Sequence, residues 1–482
     1  MSNILASMSA AGNALGAFQQ ALTTTQNNVT NSSTEGYAKQ TVNLTAQPFD
    51  VADGMAGGVT AQTPIDSRDQ YAEESVQQAT QTLGLYTAQT NATSTLQGYF
   101  DVSGSGGLSS ALTGLFQSFS AWSTTPSDST ARQNVLTAAN STAQAINGLA
   151  SSLTSEAGSL DTEIGDTVSQ INSIETEIQQ YNTAKLQNPA DDPGADAQLY
   201  SALDSLSSLV NFSTVKQSDG TVSIVLASGT PLVMGTQTYA LSSNASVSAT
   251  PTPVNASPPT TGHVLDSQGN DITSEITSGS LGGLLDIRNG LLGSILGNSQ
   301  EQGSLNTLAQ TLADTVNTIL TSGTVSSDTG AANGTALFTY DTAHPTNVAA
   351  SLALNPAITP DELAPVDLQG NSNGNANALA ALENASGTSA GTIGGVSLIQ
   401  YYAGVASAVG TANSTASDNQ TTQQQVVSTA TSLRDTVSGV SQDQEAINLT
   451  AFEKDYEGAA QVLTTLDTMC EALINMMPPA ST

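Results

Sequence analysis

The sequence is short of four things, and each shortage closes off a class of function. Cysteine occurs once, at Cys470, so no internal disulfide can form. That fits either a reducing compartment or a chain exported unfolded through a dedicated channel. Basic residues number eight against 41 acidic ones, for a net charge of -33. Lys39, Arg68, Arg132, Lys185, Lys216, Arg288, Arg434 and Lys454 are scattered singly, so no run of them can neutralise successive phosphates. Nucleic acid and membrane are therefore not expected as partners. No stretch reaches the ~20 continuous apolar residues of a membrane span, and the N-terminus lacks the basic-then-apolar pattern of a secretory signal peptide.

Histidine occurs twice. His263 and His344 lie in turn-rich segments, outside any His-Glu-x-x-His spacing that would hold zinc. Asp191, Asp192 and Asp196 lack the spaced ligands and terminal Glu of a calcium loop and read as a solvated helix terminus. No Gly-rich loop followed by Lys is present to cradle a phosphate. No catalytic residue, metal ligand or cofactor is expected, and the chain reads as something other than an enzyme.

What is present is ample apolar residue, 38% of 482, enough for two to four domains with real cores. Repulsion between acidic copies is screened beyond about 10 Å at 0.1 M salt, so the charge does not forbid a polymer. Proline punctuates the chain, because inside a helix it removes a hydrogen bond and clashes with the preceding turn. Eleven of the sixteen prolines fall between Pro189 and Pro365, leaving long Pro-free windows on either side. A helical frame with a different middle follows.

The sharpest periodicity is at the two ends. Ile4, Met8, Ala11, Leu15, Phe18, Leu22 and Val29 step by fours and threes, broken only by Thr25. Leu449, Phe452, Tyr456, Ala459, Leu463, Leu466, Cys470, Leu473 and Met477 do the same. Each row is a coiled-coil seam of roughly 40 Å, so the two chain ends are expected to pair. The first 49 residues hold one acid, Glu35, and one base, Lys39. An arm so poor in charge is suited to losing its water. Leu5, Val462 and Ile474 fall off the seams and are expected to leave apolar surface for a partner.

The stretch Ala131 to Lys185 reads as one long helix. Leu305 to Ile319 and Val426 to Val440 read as two more, expected to bundle with it. Between Phe212 and Ile276 the period changes to β, with turns at Ser218-Asp219-Gly220 and Gly269-Asn270, and the Pro/Ser/Thr run Val247 to Thr261 reads as a surface loop. The expected fold is mainly α, with paired N- and C-terminal coiled-coil helices, a long helical bundle and an inserted small β domain. Its expected divisions are 1–62 with 441–482 for the terminal pair, 63–195 with 282–330 and 391–440 for the bundle, 196–281 for the β insert, and 331–390 for an irregular segment packed on either.

The segment Asn27-Asn28-Val29-Thr30-Asn31, followed by Thr34-Glu35-Gly36-Tyr37, resembles the N-terminal signature of the flagellar rod, hook and hook-associated axial proteins. That pattern runs Asn-Asn-Ile-Ala-Asn and then Thr-Pro-Gly-Tyr. Asn27, Asn28, Asn31, Gly36 and Tyr37 match, while Glu35 replaces the proline. The stretch Glu445 to Met476 resembles the second signature of the same family. Pro126 to Leu136, Ser228 to Val233, Leu281 to Arg288 and Asn375 to Asn384 are similar to internal stretches of its hook-filament junction members.

The resemblance implies a structural subunit, exported unfolded through the flagellar type III channel while a chaperone shields its C-terminal helix. A ring of identical copies would then join the hook protein to a second junction protein and the filament. Another axial subunit (distal rod or hook) should be mainly β. A coiled-coil surface adhesin would explain the seams but should carry a signal peptide or anchor. An enzyme housed in the β region or in Thr321 to Asn377 should show a cleft with converging polar groups.

Overall fold

The structure is a computed structural model and describes residues 2–48, 57–100, 106–190, 192–244, 261–298 and 301–476. Asp191, Met477 and the run Val247 to Thr260 lie outside the described residues. The fold is mainly α with small antiparallel sheets. Helix α1 (Ser2–Thr30) leads into two short hairpin ladders, β1 (Gln40–Thr41) with β4 (Ile65–Asp66) and β2 (Leu44–Ala46) with β3 (Val59–Ala61). Then come α2 (Gln70–Tyr99), α3 (Gly107–Thr124), α4 (Ser129–Gln187) and α5 (Pro193–Leu209).

Helix α4 has 59 residues, so it runs roughly 90 Å. Asp128 starts it, its side chain accepting from Thr130 N at 2.9 Å. Asn188, forced out of the α region by Pro189, ends it. The expected stripe from Val135 through Ile146, Leu153, Leu160, Ile164, Ile171 and Ile178 is buried. Helix α3 packs on α4 and contributes Phe116, Phe119 and Trp122, all fully buried, to the core. Trp122 Nε1 donates to Pro126 O at 3.2 Å.

The sheet is β5 (Ser213–Lys216), β6 (Val222–Val225), β7 (Pro231–Met234) and β8 (Gln237–Thr238), antiparallel in that order, with β9 (Ser242–Ser243) pairing β10 (Val264–Leu265) beside it. Ile224, Leu232, Val233 and Val264 belong to the same continuous core as Ile171 and Ile178 of α4. The β structure begins later than the expected boundary at 196. Residues 193–209 are helical because Asp192 caps α5 (accepting from Gly194 N at 2.9 Å), Pro193 suits its first turn, and Leu199, Leu203 and Leu206 form an apolar face.

The chain returns through α6 (Gly279–Leu285), a π-helical turn (Asp286–Leu291), α7 (Leu292–Leu296) and α8 (Ser304–Ser322). The π turn aims Arg288 at Asp161 of α4, with Nε to Oδ1 at 2.7 Å and Nη2 to Oδ2 at 3.0 Å. Leu305, Leu308, Leu312 and Val316 of α8 are buried as spaced. The segment 331–390, containing α9 (Val348–Ser351) and α10 (Gly374–Ala381), packs Phe338, Val348, Leu352 and Leu363 onto α3, α4 and α8.

The last two helices are α11 (Leu398–Ser438) and α12 (Gln442–Met476). Helix α11 lies along α2. The expected stripe from Val426 to Val440 is a correction: Ala430 is buried, but Val426, Leu433 and Val437 face outward. Along that length α11 meets α2 through Val427 and Ala430, packed with Val76 and Ala79, and through Arg434 Nη1 to Glu73 Oε2 at 3.3 Å; nearer the start of α11 amides join the helices, Asn413 Nδ2 to Gln97 Oε1 at 2.8 Å and Gln423 Nε2 to Ala79 O at 3.0 Å. A small apolar cluster and polar contacts together set the face.

Candidate assembly site

Helices α1 and α12 pack on each other, antiparallel, at one end of the fold. Asn28 near the end of α1 meets Glu445 near the start of α12, and Ala10, Ala11 and Ala14 line the same gap as Ala459, Val462 and Leu466. On α12, Leu449, Phe452, Tyr456, Ala459, Leu463, Leu466 and Cys470 are half-buried, Ala459 and Leu466 in the gap with α1; Leu473 is exposed. On α1, Ile4, Met8, Leu15, Phe18 and Leu22 are half-buried, and Ala11 is buried with Ala17 and Ala21.

The phase shifts at the end of α1. Val29 points outward, and the interior place is taken by Thr25, 4% exposed, and Asn28, 1% exposed. Asn28 is the centre of a polar knot. Its Nδ2 donates to Gln40 O at 2.8 Å and Glu445 Oε2 at 3.1 Å, while its Oδ1 accepts from Gln40 N at 2.9 Å and Tyr37 Oη at 3.0 Å. All four capacities of the amide are used, which a valine cannot do. Lys39 Nζ sits 3.1 Å from Glu445 Oε1, so the buried carboxylate is paired as well as hydrogen-bonded. Burial, with Glu445 nearby, pushes the Tyr37 phenol above its ordinary value.

The rest of the signature shapes the turn that makes this possible. Asn31 closes the helix, with Nδ2 donating to Asn27 O at 3.0 Å and Oδ1 accepting from Thr34 Oγ1 at 3.2 Å. Asn27 itself is exposed. Gly36 has φ +72°, and a Cβ there would stand 2.2 Å from Ala197 O of α5. Its carbonyl accepts from Arg68 Nη2 at 2.6 Å.

Arg68 opens a second network that clamps this turn to the helical body. Its Nη1 donates to Glu73 Oε1 at 2.6 Å, and its guanidinium lies 3.6 Å above the Tyr200 ring. Glu73 also takes Arg434 Nη1 at 3.3 Å, and Arg434 reaches Asp204 Oδ2 at 2.9 Å. One cluster thus ties the signature turn, α2, α5 and α11. Burial pushes Tyr200 up to about 12 and raises Asp204 despite its arginine. Sequence reasoning used these arginines only to exclude nucleic acid. The signal it passed over is that a lone base in a strongly acidic chain is a natural internal counter-charge.

The candidate chemical residues sit elsewhere. His263 is flanked by Asp271 Oδ2 at 2.7 Å and Thr261 Oγ1 at 2.8 Å. The nearby N–H groups of Gly262 and His263 are already taken by Asn289 and Asn244, so neither is free to face a reacting carbonyl. His344 pairs with Asp341. Asp192 caps α5, and Asp196 takes the Tyr181 hydroxyl at 2.7 Å. Among the described residues, no three His, Cys, Asp or Glu side chains converge as a metal site, and no helix is long and apolar enough to cross a membrane.

Terminal helices locked together by a polar knot, and carried on a long helical body, define a helical subunit that presents both chain ends as one element. The chain belongs to the family of the flagellar hook-associated protein FlgK: its residues 93–338 match the model of that family's helical domain. The fold is also similar to the solved structure of the flagellar hook junction protein FlgK from Burkholderia pseudomallei. That likeness has a TM-score of 0.61 at 16% identity and covers 75% of this chain and 100% of that one. No curated protein sequence matches.

Proposed function

We propose that the chain is a structural, non-catalytic subunit of the flagellum that sits at the junction of hook and filament and assembles into a ring through its terminal helices. The observation carrying this reading is the surface that the α1–α12 pair leaves uncovered. Leu5, Ile447, Val462, Met469, Ile474 and Met476 are all at least half exposed on helices whose other faces already meet. Two helices cannot bury all this surface, and neighbouring copies can. The half-buried seam residues on α1 and α12 are then the inner layer of each subunit's contribution. Hook protein and a second junction protein are the partners at the two ends of the ring. Export through the flagellar channel, with a chaperone over α12 beforehand, accords with the lack of disulfides and with this exposed surface.

The test is Ile447→Glu combined with Met469→Glu. Both positions face solvent in the single subunit, so its folding should change little. Cells should nevertheless keep hooks without filaments and release filament subunits into the medium. Normal filaments on that strain would remove the terminal pair from the assembly role.

A further inference from the structure

Helix α4 grips the β sheet with a row of amides. Asn172 exchanges two hydrogen bonds with Leu241, at 2.8 and 2.9 Å. Gln179 Nε2 donates to Thr236 O at 3.4 Å. Asn182 accepts from Val222 N at 2.8 Å and donates to Val222 O at 2.8 Å and Gly235 O at 2.7 Å. Residues 172, 175, 179 and 182 lie on one face of a helix. The remaining member of the row is Glu175, wholly buried, and neither of its carboxyl oxygens has a hydrogen-bond partner.

We propose that Glu175 is held as the neutral acid in the folded subunit, and that its ionisation releases the β sheet from α4. A carboxylate there would be desolvated without a counter-charge, because the charged groups on the surrounding elements are engaged elsewhere or turned outward. On α4, Glu177 is exposed and Asp161 holds Arg288. On α5, Asp196 takes Tyr181 and Asp204 takes Arg434, while Tyr200 lies under Arg68. Strands β6 to β10 carry no ionisable side chain; Lys216 of β5 is exposed and Asp219 is bound to Thr221. Helix α6 carries none, and on the π turn Asp286 takes Gln89. On α2, Glu73 is held by two arginines and Glu74 accepts from Gln70. Burial alone therefore pushes the acid, ordinarily near 4.5, up to about 8.

The sign follows from linkage. The released state binds its proton with the ordinary affinity and the docked state binds it more tightly, so docking is strongest below pH 4.5 and weakens as pH rises toward about 8. Above that value both states are ionised and the dependence levels off.

The experiment is amide hydrogen exchange on the full chain, following Ile224 and Val233 of the sheet and correcting for the intrinsic pH dependence of exchange. In the native chain, protection should fall about a hundredfold between pH 5.5 and 7.5. Glu175→Gln and Glu175→Met should flatten that profile, the second also raising protection above pH 7. The other ionisable groups around the sheet are unchanged in all three proteins, so only the difference between them is read. Asn172→Ala serves as a control that weakens docking yet keeps the slope. A flat profile in the native chain, or a slope in either Glu175 variant equal to the native one, would overturn the proposal.

Discussion

A methyl group added at Gly36 has nowhere to go. The residue has φ +72°, a region that costs an L-alanine about 1 kcal/mol. Its Cβ would also lie 2.2 Å from Ala197 O and 2.8 Å from Ser201 N, both backbone atoms of a packed helix that no rotamer change can move. The turn must therefore retreat from α5 by about 1 Å, the distance needed to restore van der Waals contact. That retreat breaks the 2.6 Å bond from Arg68 Nη2 to Gly36 O, a charged hydrogen bond worth about 1.5–3 kcal/mol. Together the two effects come to about 2.5–4 kcal/mol, or a change on the order of a hundredfold in the local opening equilibrium.

The readout is exchange of two backbone amides that the knot protects, Lys39 N (2.9 Å to Ser438 O) and Gln40 N (2.9 Å to Asn28 Oδ1). Both should lose about two orders of magnitude of protection in Gly36→Ala, while amides of α3 around Phe116 and Phe119 keep theirs. Protection at Lys39 and Gln40 within about threefold of the native value would show that the turn does not depend on this close approach.

Leu463→Asp places a charge in a seam that is only half covered in the single subunit. It should cost the isolated protein about 1 kcal/mol by urea unfolding yet abolish filament attachment in a swimming assay, where copies bury the seam further. Trp122→Ala removes the largest side chain of the core and should lower the stability of the helical body by about 3–5 kcal/mol in calorimetry. Asp161→Ala leaves Arg288, 2% exposed, without its carboxylate and should cost about 3–5 kcal/mol, whereas Asp161→Leu with Arg288→Met should recover most of the loss in the same denaturation experiment.

The parts of the fold that were legible in the sequence are those where apolar spacing decides the face. The α12 residues from Leu449 to Cys470 on the predicted spacing are half-buried, and the stripe on α4 from Val135 to Ile178 is buried except at Ile174, which is half-buried. Where amides decide instead, spacing misleads. Val29 looked like the end of the seam, but Asn28 turns inward because it can satisfy four polar partners at once. Val426, Leu433 and Val437 looked like a buried stripe, but Gln423, Val427 and Ala430 face α2 and Arg434 reaches its Glu73. The pairing of α2 with α11 joins residues more than 300 positions apart and leaves no local mark. The Arg68–Glu73–Arg434–Asp204 cluster was visible only as isolated bases, since pairing across four elements is a property of the folded chain alone.

The knot between Asn28 and Glu445 spans 417 positions of sequence, which sets an order of events for a chain made from its N-terminus. Helix α1 is complete early but has no mate until Glu445 and the rest of α12, 417 positions beyond Asn28, are made. Bringing such distant points together directly carries a large entropic penalty. If α2 and α11 zip first, Lys39 is already beside Ser438, as in the bond from Lys39 N to Ser438 O. The loop still to be closed then shrinks to a couple of tens of residues, which lowers the entropic penalty by about 3 kcal/mol. The body thus acts as a splint for its own ends, and the terminal pair is the final stitch rather than the nucleus of folding.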